Sequence, residues 1–152
     1  MDADMESTGV RRLLTGAVIR SVGRAADMGV LELTGGQGED LALHIQCAFR
    51  VLHDGQVLLG SRDMTYARGR AEPEAFDTFA TVYDDRAALL SRVLGGACPQ
   101  VETVLQGPAG ALTLEASRGF RVEVLPDRSG AEESWRAFTR GGQHYGYPPG
   151  LV

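Results

Sequence analysis

Leu41-Ala42-Leu43-His44-Ile45-Gln46-Cys47-Ala48-Phe49-Arg50-Val51 carries the longest unbroken alternation of apolar and other residues in the chain. Successive side chains of a β-strand point to opposite sides of a sheet. The stretch therefore reads as one strand, with Leu41, Leu43, Ile45, Cys47, Phe49 and Val51 turned to a core and Ala42, His44, Gln46, Ala48 and Arg50 turned away. The strand fixes a core face and, opposite it, a row holding an imidazole, an amide and a guanidinium.

Working outward, Gly16 to Gly23 and Val30 to Thr34 read as strands, the second joined to the central strand through the turn Gly35-Gly36-Gln37-Gly38. A phosphate-binding glycine loop needs a helix after it, and here a strand follows, so the hairpin reading holds. On the other side, His53-Asp54-Gly55 reads as a three-residue hairpin loop that sets Phe49 opposite Leu59 and Val51 opposite Val57. A two-residue Asp-Gly loop sets Phe49 opposite Gly60 instead, a poorer cross-strand match. Asp84 or Asp85 caps a helix over Arg86 to Leu94, with Ala87, Leu90 and Leu94 on one side and Gly95-Gly96 as its stop.

Val101 to Gln106 is a further strand, and Ala111 to Ala116 pairs with Phe120 to Leu125 across Ser117-Arg118-Gly119. That register sets Leu112, Leu114 and Ala116 against Val124, Val122 and Phe120, with Glu115 opposite Arg121. Ser129 and Glu132 fit a capping box, which predicts a short helix carrying Trp135 and Phe138. The likeness of the 53–55 and 117–119 loops allows an internal repeat of hairpin units. The fold class is α+β: a single domain with a mainly antiparallel sheet of about six or seven strands and two or three helices on one face. Residues 1–8 read as a flexible acidic tail, 9–140 as the domain and 141–152 as a C-terminal tail.

Composition narrows the function. The chain has 152 residues, a net charge of −5, and fifteen basic residues that are all Arg, with no Lys and no Asn. A phosphate-loop Lys, a Schiff-base Lys and an Asn-linked glycan are thereby excluded. The bias suits a GC-rich bacterial genome. No concentrated basic footprint points to nucleic acid, and no apolar run reaches the roughly 18 to 20 residues of a membrane-spanning helix. The acidic start Met1-Asp2-Ala3-Asp4-Met5-Glu6 lacks the positive charge of a secretory signal, so the expected location is cytoplasmic. Cys47 and Cys98 read as reduced, buried thiols. His44, His53 and His144 show no metal-ligand spacing, and no cofactor is expected.

Leu43-His44-Ile45-Gln46-Cys47 with Arg50, Gly60-Ser61-Arg62-Asp63, Phe120 to Asp127, and Glu133-Ser134-Trp135-Arg136 with Phe138 resemble segments of a set of small uncharacterised bacterial proteins. No reaction is attached to that set. Some proteins of this size and layout stand beside toxin genes as immunity factors, so the resemblance permits an immunity-like role.

The candidate binding residues are His44, Gln46 and Arg50 on the central strand, Arg62 and Tyr66 in the Arg-rich run from 62 to 70, and Tyr145 and Tyr147 near the C-terminus. The leading reading is a non-enzymatic module that binds another protein. Against it stand a small hydrolase or transferase built round His44, Gln46 and Arg50, and a small-ligand carrier. Cys47 is turned away from His44 by strand alternation, which argues against a thiol–imidazole pair.

Overall fold

A computed structural model describes residues 3–66 and 81–149, with side chains from Thr8 onward in the first helix. The Arg-rich run beyond Tyr66, with Arg68, Arg70, Phe76 and Phe79, lies outside the described residues. So do residues 1, 2 and 150–152. Among the described residues two helices and ten strands follow in the order α1 (Ala3–Leu14), β1 (Val18–Ala25), β2 (Met28–Thr34), β3 (Asp40–Ile45), β4 (Ala48–His53), β5 (Gln56–Gly60), α2 (Val82–Ala97), β6 (Val101–Gln106), β7 (Leu112–Ala116), β8 (Phe120–Leu125), β9 (Trp135–Thr139) and β10 (His144–Tyr147). α1 thus starts inside the stretch expected to be a loose tail.

Instead of one sheet of six or seven strands, the chain builds two antiparallel sheets of five, ordered β1-β2-β3-β9-β10 and β5-β4-β8-β7-β6. The quoted stretch makes both. It breaks at Gln46-Cys47, so that β3 lies in the first sheet and β4 in the second, yet the alternation passes through the break: Leu41, Leu43, Ile45, Phe49 and Val51 all face one shared core. The break is satisfied by hydrogen bonds from elsewhere in the chain. The Gln46 N–H donates to the Ser134 carbonyl at 2.7 Å and the Ala48 N–H to Asp127 Oδ1 at 3.3 Å.

Ser134 and Asp127 belong to the second crossing, from β8 to β9. Raising each strand number by five turns the first sheet's β1-β2-β3 into the second's β6-β7-β8, while the crossing hairpins β4-β5 and β9-β10 exchange sheets. Each half therefore lays down three strands of one sheet and gives two to the other, each half opening with a helix. The equivalent hairpins are β4–β5 and β9–β10, not the two with similar loops. Those loops lie side by side, because β4 pairs with β8, and the Asp54 N–H donates to the Gly119 carbonyl.

The predicted β7–β8 register is present, with Leu112 opposite Val124, Leu114 opposite Val122 and Glu115 opposite Arg121. The β4–β5 register differs from the expectation. Asp54 and Gly55 both take positive φ, 50° and 82°, forming a two-residue turn with His53 opposite Gln56. A bulge at Leu58 then sets Val51 against Leu59 and Arg50 against Gly60, returning Leu59 to the core. A second correction concerns Trp135 and Phe138, which lie on a strand and not on a helix. β9 fills the place beside β3, turning Trp135 and Ala137 inward and Arg136 and Phe138 outward.

The helices also depart from a one-face arrangement. α1 packs Val10 and Leu14 towards β6, β9 and β10, whereas α2 covers the free edge of β1. Ser91 Oγ, on α2, accepts the Val22 N–H and donates to the Val22 carbonyl, each at 3.0 Å, so one hydroxyl meets both backbone groups of that edge residue. α2 begins earlier than expected, at a Thr81 cap whose N–H donates to Asp84, and buries Tyr83, Ala87, Leu90 and Leu94. It runs through Gly95-Gly96 and ends at Cys98, which takes the left-handed conformation usual for glycine.

Asp84 also receives both Nε and a terminal nitrogen of Arg24, at 2.7 and 2.9 Å. The Arg24 hydrogen bond, partly opposed by burial and aided by the Thr81 N–H, lowers its pKa from 3.8 to about 2. Its stabilising effect is thus complete above about pH 4 and disappears as pH falls through 2. Both side chains keep about a quarter of their surface in solvent, which screens the pair, so the contribution is about 1 kcal/mol. Asp84→Asn is expected to lose that much in urea unfolding at pH 7 and to flatten the decline between pH 4 and 2. An unaltered acid limb would refute this assignment.

Candidate functional site

The pseudo-symmetry supplies an internal control for the two outer faces. On the second sheet, Arg50 lies opposite Glu123 and Arg121 opposite Glu115, with Thr113 and Leu52 completing the same face. The four charges form a continuous ladder. Glu123 accepts Arg50 Nε on one oxygen and Arg121 Nε on the other, each at 2.7 Å, and Arg121 reaches Glu115 at 2.7 Å. These hydrogen bonds, that of Arg50 first, hold the Glu123 pKa below its ordinary value.

At the matching positions of the first sheet the composition changes. His44 stands where Glu123 stands and Phe138 where Leu52 does, while Arg136 matches Arg50 and His144 matches Val57. Phe138 is flanked by both imidazoles, His44 edge-on at 4.8 Å and His144 stacked at 4.7 Å. Arg140 lies 5.8 Å from its ring centre, hydrogen-bonds to Glu32 at 2.9 Å and forms an ion pair with Asp40 at 3.3 Å. Arg136 binds Glu133 at 2.9 Å and points another nitrogen at His144 Nδ1, 3.4 Å away. Since guanidinium only donates, that nitrogen of His144 is the acceptor. Burial first, then the nearby Arg140 charge, lower the His44 pKa, favouring the neutral ring.

No family model, curated protein or solved structure matches the chain. What the site can do must therefore be read from its own geometry. His44, Gln46 and Arg50 do not form one site: they are divided between the first sheet, the crossing and the second sheet. Cys47 stays away from His44, and burial, reinforced by Asp127, pushes its thiol up to about 12, leaving it protonated. Cys47 is half-buried and Cys98 exposed, against the expectation that both are buried. Among the described residues no group of three or more His, Cys, Asp and Glu could hold a metal ion.

Arg50 does meet another expected residue. With Arg62, it lines an open depression of about 450 Å³ on the outer face of the second sheet, whose remaining walls include Phe49, Val57, Glu123 and Leu125. Arg62 lies in the short 3₁₀ turn Ser61–Thr65, positioned by Gly60 and Asp63, and Ser61 Oγ accepts the Phe49 N–H. Tyr66 is exposed just beyond that turn.

Tyr145 and Tyr147 sit elsewhere, on β10, facing inward. Tyr145 packs on Gly9 of α1 and its hydroxyl donates to Gln143. Tyr147 packs on Gly110 and stacks with Trp135. The sequence of 141–152 reads as coil or as a short final strand, and only the strand reading turns both tyrosines to one side. Sequence reasoning also missed Phe138 and Arg140 as neighbours of His44, because their contact depends on β9 lying beside β3.

Proposed function

We propose that the chain is a non-enzymatic binding module that acts by holding another protein. The observation that carries this reading is the setting of His44, the side chain on which a hydrolase or transferase would depend. Its neighbours are a phenyl ring and charges already joined in pairs, and among the described residues no hydroxyl, thiol or free carboxylate is placed for it to activate. The remaining ion pairs of both outer faces are likewise mutual. An immunity-like role, in which the chain covers a toxin's working surface, is one form of this reading that the sequence resemblance permits.

The test is a panel of activated ester, phosphoester and peptide substrates with the wild type and His44→Ala. Neither protein is expected to turn over any of them above the uncatalysed rate. Turnover by the wild type that falls at least 100-fold in His44→Ala would overturn the reading.

A further inference from the structure

We propose that the depression between β4, β5 and β8 is the docking site for an acidic, apolar segment of the partner protein, with Arg62 as its principal anion contact. The inference rests on the binding reading above and gives it a place and a chemistry. Arg62 is exposed, and the adjacent acid does not neutralise it: Asp63 accepts the Gly60 N–H and faces Arg86 at 3.8 Å. Glu123, the carboxylate lining the depression, is shared by Arg50 and Arg121. Arg50 engages it through Nε, leaving its terminal nitrogens outside that bond. Two guanidiniums thus border a surface whose one acid among the described residues is already doubly engaged, so the local field favours an incoming carboxylate.

The walls describe the rest of the ligand. Val57 and Leu125 are 51% and 60% exposed, and both line the depression beside Phe49. A lone small carboxylate would pair with the cations and leave this apolar surface in water. A peptide laid across the sheet face covers both at once, placing apolar side chains on Val57 and Leu125 and a carboxylate at Arg62. At the matching place on the first sheet, His144 replaces Val57 and pairs with Arg136, so the feature belongs to one face only.

The probe is an end-blocked hexapeptide alternating Leu and Glu, titrated into the isotope-labelled full chain and followed by amide NMR. Shifts are expected at Arg50, Val57, Gly60, Ser61, Arg62 and Leu125, with at least tenfold weaker binding by the Leu/Gln analogue. Arg62→Glu should weaken the acidic peptide at least tenfold, leave the shifts of β1–β3 unchanged and favour a Leu/Arg peptide instead. Equal binding of the Leu/Gln peptide, shifts centred on His44 and Phe138, or no shifts up to millimolar peptide would each overturn the proposal. Those outcomes leave the broader binding reading standing; only His44-dependent turnover removes that.

Discussion

Trp135→Ala is expected to destabilise the fold by about 3–5 kcal/mol, the range for removing a large buried aromatic side chain. Trp135 is 3% exposed and lies opposite Ile45, the last residue of β3 before the chain crosses between sheets. Its indole N–H donates to the Gly110 carbonyl at 2.8 Å, tying β9 of the first sheet to the β6–β7 turn of the second, and Tyr147 stacks beside it. Alanine leaves a cavity and removes the donor from that carbonyl. Trp135→Phe keeps much of the volume and loses the bond, so about 1–2 kcal/mol is expected. Circular dichroism during urea unfolding is the appropriate measurement, since Trp135 is the sole tryptophan and both variants abolish its fluorescence. A loss under about 1 kcal/mol for Trp135→Ala would mean that the two sheets are not joined through this ring.

The same residue shows where local reading stops. Trp135 and Phe138, three apart, fit one side of a helix, and Ser129 with Glu132 supplies a plausible start. Their actual state is decided by β3, which needs a partner on its second edge and lies some ninety positions earlier in the chain. Where the partner is a near neighbour in sequence, reading mostly succeeds; the β4–β5 hairpin escapes it, because a two-residue turn and a bulge at Leu58 replace the expected three-residue loop. The β7–β8 register, the β2–β3 turn and the buried side of α2 at Ala87, Leu90 and Leu94 all follow from patterns within one short window. Alternation from Leu41 to Val51 also yields the correct inward residues, but it has no term for a crossing between sheets, because a strand that changes sheets can keep its parity. The count of one sheet instead of two follows from that omission.

The candidate sites obey the same division. Alternation puts His44 and Arg50 on the outward side of their strands, but sharing a parity does not mean sharing a surface once β3 and β4 part. The meeting of Arg50 with Arg62 depends on the actual β4–β5 register: Arg50 lies opposite Gly60, and the chain turns at Ser61 directly into Arg62. Tyr145 and Tyr147 read as contact residues because their glycine- and proline-rich surroundings suit coil as well as a short final strand. Once 144–147 is a strand beside β9, glycines at 9 and 110 become the flat surfaces on which these rings rest.

Tyr83 gives the second large effect, at the opposite seam. It is fully buried, its hydroxyl donates to the Gly23 carbonyl at 2.6 Å, and its ring meets Phe49 edge to face at 6.1 Å, joining α2 at once to β1 and β4. Tyr83→Ala is expected to cost about 3–5 kcal/mol and Tyr83→Phe about 1–2 kcal/mol, the latter isolating the hydrogen bond. A pH experiment separates the hydroxyl from the ring. Burial raises the phenol pKa above its ordinary 10, so above pH 10 the unfolded chain gives up a proton that the folded chain retains. Stability is then lost as pH rises beyond 10, and Tyr83→Phe, with no proton to release, should lack that share of the alkaline decline. If wild type and Tyr83→Phe weaken in parallel between pH 9 and 11, the hydroxyl is exchanging with solvent, and α2 is not fixed to β1 through this bond.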